Sequence, residues 1–434
     1  MARAKKETAL TPEERLQAAL VPDWEWPYKL PENWCWVKAS AVARIYTGNS
    51  ISEKIKADKY AGQQEGLLFI ATKDIGFDNA INYETDIRIP DYPNFKIAPA
   101  NTALLCIEGG SAGRKVGFVN REVCFGNKLC VFAAEKVNSK FIYYILQSQY
   151  FIQQFNNRKH GLIGGVSVND LAEIGFPLSP LAEQQRIVDR IESLFAKLDE
   201  AKEKAQAVVD SFETRKAAIL HKAFTGELTK KWRKSANTRW VYKKIKDCCK
   251  LGSGGTPSRK VPDFYKGDIP WIKTGEIEWN DIYDTEEKIT QNAIDNSSAR
   301  CYKPGVVLVA MYGMGVTRGK ASILRVQAAT NQAVCVLEPQ SALLYNRYLL
   351  YYFMRNYWDI REKAVGGNQL NLSLTIIKEL NIEIPPIDEQ VEIVQILDDL
   401  FAKEQQTKEA AEAVLDQIDL MKKSILARAF RGEL

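Results

Sequence analysis

The fold is decided by a 49-residue stretch that occurs twice in the chain. Residues 180–228 read PLAEQQRIVDRIESLFAKLDEAKEKAQAVVDSFETRKAAILHKAFTGEL, and residues 386–434 read PIDEQVEIVQILDDLFAKEQQTKEAAEAVLDQIDLMKKSILARAFRGEL. The two copies align without a gap at an offset of 206 residues, and about half of their positions are identical. Chance does not produce such a match, so the 434-residue chain is a tandem duplication of a unit of roughly 200 residues.

Each copy carries apolar residues in alternating steps of four and three, which is the heptad seam of a coiled coil. The first seam runs from Ile187 to Ile219 with Arg215 as its polar member, and the second runs from Ile393 to Ile425 with Glu404 as the odd member. The pattern therefore predicts two long amphipathic helices. Ordinary core helices inside one compact domain are the alternative interpretation.

The ends of both helices carry matching boundary residues. Pro180 and Pro386 suit helix starts, whereas Gly226 and Gly432 suit helix stops. About 40 residues at roughly 1.5 Å each would form rods of roughly 60 Å, which need a partner for their apolar seams. Because equivalent units related by a two-fold axis pair isologously, we expect the two rods to pack antiparallel, with one globular segment at each end.

The segments before the two helices share a looser skeleton. Trp36-Val37 is aligned with Trp240-Val241, residues 69–75 with residues 271–277, Asn127 with the vicinity of Asn331, and Ser167 with Ser373. Short β-rich runs alternate with Gly, Pro and Asn turns, and each segment contains one short aromatic helix, which together indicate mixed α/β domains.

The predicted fold class is α+β: a tandem pseudo-two-fold repeat of two mixed α/β domains separated by two long antiparallel coiled-coil helices. The predicted divisions are an N-terminal extension (1–30), a first globular domain (31–179), a central helix (180–228), a basic linker (229–239), a second globular domain (240–385) and a C-terminal helix (386–434). In the extension, a helix starting near Pro12 is expected, and Trp24, Trp26 and Tyr28 are expected to dock on the body.

Composition excludes several classes of protein. A hydrophobic fraction of 46% is enough for a buried core in each domain, and no apolar run approaches the roughly 20 residues that span a membrane. The N-terminus has no apolar signal region, so a cytoplasmic protein is expected. Eight dispersed cysteines are interpreted as reduced thiols, and with only two histidines no metal site is expected.

Catalytic motifs fail on inspection. The run Gly315–Lys320 has the wrong spacing for a phosphate-binding loop, and no G-x-G-x-x-G fingerprint is present. Gly109–Gly113 matches G-x-S-x-G around Ser111, which leaves a hydrolase as a weaker alternative, and the acidic residues after Asp281 could mimic a metal nuclease. No catalytic residue is predicted, and a binding protein is the favoured class.

The combination of two variable segments, each followed by Pro-x-x-Glu-Gln and a long helix ending in Ala-Phe-x-Gly-Glu-Leu, resembles the specificity subunit of type I restriction–modification enzymes. Trp240-Val241, residues 254–258 (Gly-Gly-Thr-Pro-Ser) and Asn371-Leu372-Ser373 are similar to landmarks of that family. The resemblance covers the chain from residue 31 onwards. In the first domain it departs from the family, because residues 47–50 (Thr-Gly-Asn-Ser) replace the Gly-Gly-Thr-Pro-Ser run.

The resemblance implies two target recognition domains, each reading one half of a bipartite double-stranded DNA site. It also implies helices that set the gap and dock two methyltransferase subunits, and motor-nuclease subunits that join the complex. S-adenosylmethionine is then expected on the methyltransferase subunits, and no cofactor is expected on this chain.

Physical reasoning agrees, because equivalent faces of the major groove recur about every 34–36 Å and a stiff spacer between two readers would fix the distance between half-sites. Phosphate contacts would set the register and base contacts the sequence. The candidate DNA-binding residues lie in loops: Lys54, Lys56, Lys59, Lys73, Arg114, Lys115, Arg158 and Lys159 in the first domain, and Ser253, Thr256, Ser258, Arg259, Lys260, Lys273, Arg318, Lys320, Asn368 and Gln369 in the second.

Several assignments keep two interpretations. Glu183, Gln184, Glu389 and Gln390 either stabilise the first helical turns or dock a methyltransferase subunit. Gly164-Gly165 and Gly366-Gly367 either let the backbone approach DNA or form turns, and the basic linker either contacts phosphate or is a solvated connector. The acidic C-terminal helix, with 11 carboxylates against 6 basic residues in 386–434, favours a protein partner. A coiled-coil adaptor that binds only proteins is the alternative function.

Overall fold

The computed structural model of the chain describes residues 12–90, 92–161, 164–236, 238–313, 315–366 and 370–434. It divides into two compact units, Met1–Gln206 with Ala413–Leu434, and Ala207–Glu412. Each unit combines one globular domain with part of both long helices. The duplication in the sequence is therefore also a duplication in the structure.

The first unit contains two four-stranded sheets and a two-stranded ribbon. Its strands are β1 (Cys35–Lys38), β2 (Ala43–Thr47), β3 (Leu67–Ile70), β4 (Arg88–Ile89), β5 (Ile97–Ala98), β6 (Thr102–Cys106), β7 (Val116–Val119), β8 (Val123–Phe125), β9 (Leu129–Ala134) and β10 (Gly175–Leu178). The sheets have the orders β2-β9-β6-β7 and β4-β3-β8-β5, and β1 pairs antiparallel with β10. Only the β3–β8 pair is parallel among the described residues of this unit.

The helices of the first unit are α1 (Pro12–Ala19), α2 (Glu53–Ile55), α3 (Ser139–Ile145), α4 (Gln149–Asn157), α5 (Val168–Ala172) and most of α6 (Leu181–Asp210). Short polar residues define where they begin. The side chains of Asn138, Ser148 and Ser167 cap α3, α4 and α5 by accepting hydrogen bonds from free backbone N–H groups.

The second unit repeats this plan with an added edge strand. Its strands are β11 (Val241–Lys244), β12 (Cys249–Ser253), β13 (Ile269–Ile272), β14 (Asp281–Ile282), β15 (Lys288–Ile289), β16 (Cys301–Tyr302), β17 (Val307–Ala310), β18 (Ala321–Leu324), β19 (Ala328–Thr330), β20 (Val334–Pro339) and β21 (Asn381–Ile384). The sheet orders are β12-β20-β17-β18-β14 and β15-β13-β19-β16, with a β11–β21 ribbon. Its helices are α7 (Phe212–Phe224), α8 (Lys230–Ala236), α9 (Ile245–Cys248), α10 (Gln291–Asp295), α11 (Asn346–Arg355), α12 (Tyr357–Glu362), α13 (Leu374–Lys378) and most of α14 (Ile387–Ala429).

The central strand of each domain is buried on both faces. In β6, Ala103 and Leu105 pack into one cluster of buried side chains, whereas Leu104 and Cys106 pack into another. Successive side chains of a strand point to opposite faces, so a continuous apolar run serves two cores at once. The second unit does the same with the alternate residues of β17.

The long helices pair antiparallel within each unit. In the first unit, Asp199 of α6 forms an ion pair with Lys422 of α14, and Arg186 donates a hydrogen bond to the backbone carbonyl of Leu434 at 3.4 Å. In the second unit, Arg215 of α7 pairs with Glu404 at 2.7 Å, and the Lys408 ammonium lies 5.0 Å from the Phe212 ring centre. Residue numbers fall on one helix as they rise on the other, which confirms the predicted antiparallel direction in both units.

The central helix has a local irregularity at Ser211, across which helical hydrogen bonds continue from Ser211 to Ala207 and from Arg215 to Ser211. α6 ends at Asp210 and α7 begins at Phe212, with Ser211 between them. The Ser211 hydroxyl donates to the Ala207 carbonyl at 2.6 Å, and the Arg215 guanidinium donates to the Val208 carbonyl at 3.1 Å. Side chains that bond to helix carbonyls compete with the backbone hydrogen bonds, which explains the local irregularity.

The ends of the helices belong to the domain cores. Ile187 and Ile191 of α6, together with Phe430 directly after α14, lie in the core of the first domain. Phe224 of α7 and Leu397 of α14 lie in the core of the second. The seams are therefore partly coiled coil and partly ordinary core, so the two interpretations of the heptad pattern each describe a different part of the helices.

Both helix stops occur where predicted. Gly226 and Gly432 adopt φ of 74° and 75°, a left-handed conformation that costs glycine little. Their N–H groups donate back to Ala223 and Ala429 at 3.2 Å, which closes each helix with a glycine cap. The predicted fold class, with two mixed α/β domains and two long antiparallel helices, is confirmed.

The N-terminal extension agrees with prediction except at one residue. Trp26 and Tyr28 pack against the first core, and the Tyr28 ring lies edge-on to Trp36 with centres 5.0 Å apart. Trp24 is 84% exposed, so the expectation that it docks on the body is wrong. It lies in the short helical turn Asp23–Glu25, whose residues are not buried.

Candidate nucleic-acid interface

The repeated Glu-Gln pairs lie inside hydrogen-bond networks at the starts of the long helices. In the first unit the Glu183 carboxylate accepts hydrogen bonds from Asn33 at 3.0 Å and from the Trp34 indole at 3.2 Å. Gln184, only 2% exposed, accepts from the Asn138 backbone N–H and donates to the Ser179 carbonyl. These contacts fasten the helix start to the first strand and to α3.

The second unit repeats the arrangement with deeper burial. Glu389 is 0% exposed and accepts hydrogen bonds from Thr229 at 2.7 Å, Arg233 at 3.0 Å and the Trp240 indole at 3.0 Å. Gln390, also fully buried, accepts from the Tyr345 N–H and donates to the carbonyls of Leu343 and Pro385. Because the buried Glu389 carboxylate binds the Arg233 guanidinium, this part of the basic linker stabilises the fold.

These networks correct the alignment of the two domains. The equivalent tryptophans are Trp34 and Trp240, each bonded to the helix glutamate, so Trp36 is not the partner of Trp240. Strand pairing agrees, because Cys35 faces Leu178 and Val241 faces Ile384. The offset of 206 therefore holds through the first strand, and the alignment of Trp36-Val37 with Trp240-Val241, which implies an offset of 204, is wrong.

The docking role of the four Glu-Gln residues stays a prediction. Gln184, Glu389 and Gln390 are buried and bonded inside their own unit, which favours the structural interpretation for their side chains. The Glu183 side chain remains 23% exposed and forms an ion pair with the exposed Arg186 at 3.2 Å. Of the four, Glu183 is the side chain that a partner could reach directly.

A second pair of equivalent contacts, which the sequence reasoning missed, joins each domain to a long helix. In the first unit Lys140 of α3 forms an ion pair with Glu192 of α6 at 2.5 Å, and the Tyr144 ring packs edge-on to Phe195 at 5.8 Å. Burial and the Glu192 carboxylate raise the pKa of Tyr144, so its hydroxyl stays protonated.

In the second unit Arg347 of α11 pairs with Asp398 of α14 at 3.7 Å, and the Tyr351 hydroxyl donates to the same carboxylate. The Tyr351 ring packs on Phe401 at 5.6 Å. Each domain is thus held to its helix by one cation, one tyrosine and one carboxylate. An offset of 206 to 207 between these residues, with the tyrosine and the phenylalanine unchanged and the charges conserved, was the available signal.

Five of the first domain's candidate residues lie around two neighbouring loops and the end of α4. The Lys115 ammonium donates to the Thr72 carbonyl at 3.2 Å, which brings the β6–β7 loop beside Lys73. Arg114 and Lys115 both lie over the exposed ring of Phe77, at 5.1 and 4.8 Å from its centre. At the end of α4, Lys159 lies over Phe155 at 5.5 Å, and Arg158 is bonded to Gln154.

The remaining three candidates of the first domain lie on the helical turn that follows Ser52. Lys54 is exposed, Lys56 pairs with Glu53 at 2.7 Å, and Lys59 lies over the Tyr60 ring at 5.2 Å. A cavity of about 160 Å³ is lined by Glu53, Lys56 and Lys73, so this turn adjoins the other cluster. The structure therefore brings Lys56 close to Lys73.

In the second domain, Arg259 and Lys273 form ion pairs with the same carboxylate, that of Glu287. Glu287 pairs with Arg259 at 2.7 Å and with Lys273 at 2.9 Å. Hydrogen bonds from Lys273 and Arg259 lower the pKa of Glu287 and keep it ionised. Arg259 also lies over the Tyr265 ring at 4.0 Å, so its guanidinium is fixed in direction and partly neutralised before any ligand arrives.

The loop between β17 and β18 carries Arg318 and Lys320. Arg361 of α12, which the sequence reasoning did not single out, donates to the carbonyls of Arg318 and Gly315 and so holds this loop against α12. Arg318 donates to the Leu370 carbonyl, and Lys320 pairs with Glu278 and is only 12% exposed. Asn368 and Gln369 lie outside the described residues, as does Gly367.

The other candidates of the second domain lie along the turn after β12. Ser253 ends the strand, Thr256 donates to the Gln332 side chain, and the Ser258 hydroxyl accepts from the exposed Lys260 backbone N–H at 3.4 Å. The turn itself is common to both domains. A Cβ on Gly48 would lie 2.0 Å from the Phe125 carbonyl oxygen, and one on Gly254 1.7 Å from that of Thr330, so glycine is required at both positions.

Other chemistry finds little support in the described residues. Asp281 is held by Arg325 at 3.0 Å and Arg347 at 3.1 Å, so its carboxylate stabilises the fold. Ser111 lies in the β6–β7 turn, where its backbone carbonyl accepts a hydrogen bond from the turn itself. No group of three His, Cys, Asp or Glu residues with a metal-binding arrangement occurs where the structure describes the chain. Over the same residues, no helix is long and apolar enough to cross a membrane.

The observations define a class: a protein with two related mixed α/β domains, each anchored on a pair of antiparallel helices and each carrying a loop surface rich in cations. Comparison with known families gives the family itself. The model of the type I restriction modification DNA specificity domain matches twice, at residues 31–209 and 237–415, and the chain belongs to this family.

Relatives of known name and solved structures agree. The chain is 25% identical to the type I restriction enzyme EcoBI specificity subunit of Escherichia coli, over 93% of this chain and 86% of that protein. It is 25% identical to the EcoKI specificity subunit of Escherichia coli strain K12, over 94% and 90%. A chain from a study of complex assembly in a type I R-M system shares the fold with a TM-score of 0.71 at 18% identity, over 94% of this chain and all of that one. The HsdS subunit from Thermoanaerobacter tengcongensis does so with a TM-score of 0.63, also at 18% identity and with the same coverage.

Proposed function

We propose that this chain is the DNA sequence-specificity subunit of a type I restriction–modification complex, in which each recognition domain reads one half of a bipartite target. The observation that carries the proposal is the duplicated domain, with equivalent anchors to the helices and with loop residues that differ between the copies. Equivalent anchoring presents two readers in the same way. Different loops let them read different sequences.

The paired helices are proposed to set the gap between the half-sites. Within each unit, the α6/α7 helix and α14 run antiparallel and enter the domain core, so a change in helix length should move the attached domain as a body. An insertion of seven residues in both helices would keep the heptad pattern and add roughly 10 Å, since each residue rises about 1.5 Å. This length corresponds to about three base pairs of roughly 3.4 Å each.

The proposed partners are two methyltransferase subunits and motor-nuclease subunits, with double-stranded DNA as the ligand. S-adenosylmethionine is proposed to be carried by the methyltransferase subunits, and this chain is proposed to be non-catalytic and cytoplasmic. The names of the relatives, specificity subunits of type I restriction enzymes, support a role as one subunit of such a complex. The protein-only adaptor is not favoured, because both halves of the chain match a DNA specificity domain.

The experiment that tests the function is methylation-sensitive sequencing of genomic DNA from cells with and without this gene. We expect a split motif to be methylated only when the gene is present. A strain with the seven-residue insertion in both helices should methylate the same half-site letters with a gap about three base pairs longer. An unchanged methylation pattern on deletion would contradict the proposed function, and altered letters with an unchanged gap would contradict the role of the helices.

The adaptor alternative is addressed by binding rather than by methylation. A gel-shift titration at increasing salt should show affinity for DNA that falls steeply, because each neutralised phosphate releases counterions. Turnover by the purified chain alone would remove the non-catalytic assignment.

A Ser111→Ala variant tests the hydrolase alternative, and we expect it to leave methylation of the target unchanged.

A further inference from the structure

A large aromatic side chain projects from the first recognition domain between two cations. Phe77 is 64% exposed, although phenylalanine is a residue that folding normally buries. The Arg114 guanidinium and the Lys115 ammonium lie 5.1 and 4.8 Å from the centre of its ring. The sequence reasoning named both cations but not the aromatic ring between them.

The turn that carries Phe77 is tightly held. Ile75 pairs with Ile81 in an antiparallel bridge, and the Gly76 N–H donates to the Ala80 carbonyl at 2.8 Å. Asn79 adopts φ of 66°, donates to Gln147 at 2.8 Å and accepts from the Val116 N–H at 3.1 Å. The exposed ring is therefore presented by a fixed turn, so little ordering is needed when a ligand binds.

The loop that carries the two cations is fixed as well. Lys115 is bonded to the Thr72 carbonyl, on the same segment as Phe77, and the Arg114 side chain donates to the Gly110 carbonyl. Asp78, the one carboxylate in the turn at residues 76–80, accepts from the Ala80 N–H at 3.1 Å. The turn and the loop thus set an apolar ring beside the cations of Arg114 and Lys115, against the single carboxylate of Asp78. The carboxylates of Glu192, Asp199 and Asp419 line the other side of the cavity that these residues border.

The second domain treats the same position differently. Residues 69–75 correspond to 271–277, as the helical turns at 72–74 and 274–276 show, and the aromatic residue of the segment that follows in the second domain is Trp279. Trp279 is partly buried against the core and lies edge-on to Tyr357 at 5.5 Å. An exposed aromatic ring is therefore a property of the first domain and is not demanded by the shared fold.

We propose that Phe77 inserts against the bases of the half-site read by the first domain, while Arg114 and Lys115 contact the flanking phosphates. This inference rests on the proposed DNA-reading function. The chemistry is that of an apolar wedge: the ring stacks on or between bases, and cations at its base hold the backbone close. The two cations that lie over the ring favour a polyanion over an apolar protein surface.

The test uses the full chain in complex with its methyltransferase subunits and duplexes that carry the target found by sequencing. Phe77→Ala should weaken binding of the intact target by roughly 5- to 150-fold, the range for loss of one base–aromatic stack. The loss should disappear when the half-site of the first domain is scrambled and persist when the other half is scrambled. Phe77→Tyr should restore binding. Trp24→Ala, which removes another exposed aromatic residue, is the matched control and should bind as the unmodified protein does.

A salt series separates the ring from the cations. Phe77→Ala should lower the affinity without changing the slope of log affinity against log salt, whereas Lys115→Gln should reduce that slope by about 0.9. Three results would each overturn the wedge: an unchanged DNA affinity of Phe77→Ala, an equal loss of affinity for every duplex, or loss of the methyltransferase subunits from the complex. The last result would indicate a protein-docking residue. If the unmodified complex discriminated neither half-site, the proposed function itself would fail.

Discussion

Glu389 is the position at which a small substitution should have a large effect. Its carboxylate is fully buried and receives three donors: Thr229 and Arg233 on Oε1 and the Trp240 indole on Oε2. Glutamine has nearly the same shape but only one acceptor oxygen. In Glu389→Gln the amide nitrogen would face a donor, and Arg233 would lose its counterion in a site with little water.

The magnitude follows from this geometry. Removing one partner of a buried ion pair costs about 3–5 kcal/mol, and the lower end applies because the Arg233 side chain is 28% exposed. The equivalent substitution in the first unit, Glu183→Gln, is a matched control. Its ion-pair partner Arg186 is 62% exposed, and a pair of that kind contributes about 1 kcal/mol or less. We therefore expect a difference of about 2 kcal/mol between the two variants.

The assay is urea unfolding followed by the summed fluorescence of the chain's nine tryptophans, which are distributed over both units. With a slope of about 2 kcal/mol/M, Glu389→Gln should lower its unfolding midpoint by roughly 1–1.5 M. Equal shifts of the urea midpoint in Glu389→Gln and Glu183→Gln would refute the reasoning, because burial of the carboxylate would then not decide the loss of stability. A variant Glu183→Gln that keeps its stability but no longer binds the methyltransferase subunit would favour the docking interpretation of that residue.

Three further outcomes are expected. Arg215→Met and Glu404→Leu should each destabilise the chain by about 2–4 kcal/mol in urea unfolding, whereas the double variant should unfold close to the unmodified protein; a loss equal to the sum of the two would show that they do not act as a pair. Arg259→Ala should reduce discrimination at one half-site in competition gel shifts, and equal loss at both halves would indicate general phosphate binding. Glu379→Gln should lower the urea midpoint at pH 7, because hydrogen bonds from two lysines lower the folded pKa of Glu379 to about 2. That stability is fully present above the ordinary pKa of about 4.5 and is lost towards pH 2, so the two midpoints should converge there, and a constant difference would contradict it.

The polar residues in the seams show how far sequence reasoning reached. Arg215 and Glu404 are recognisable as irregular members of two heptad patterns, but the sequence does not show that they face each other. Their 2.7 Å contact follows from the antiparallel register, which depends on the helix ends being fixed in the two cores. A polar pair in an apolar seam favours the one register in which both charges are satisfied.

The candidate site shows the same division. Loop position, charge and the glycine-rich turns were sufficient to nominate Arg114, Lys115, Arg259 and Arg318. The sequence does not show that Glu287 neutralises Arg259 and Lys273, because the partners are 28 and 14 residues away. Cations already paired within the chain contribute less to phosphate binding than exposed ones, so charge alone overestimates the interface.

Sequence by itself determined the duplication, the type of both long helices, their glycine stops and the family, because these depend on patterns that repeat along the chain. Only the tertiary structure decided which residues meet. It placed Trp34 opposite Glu183, joined Tyr144 and Tyr351 to their helices, made the central helix irregular at Ser211, and left Phe77 exposed. Burial and long-range hydrogen bonding arise when distant segments pack together, and a local pattern records the tendency of each segment without recording its partner.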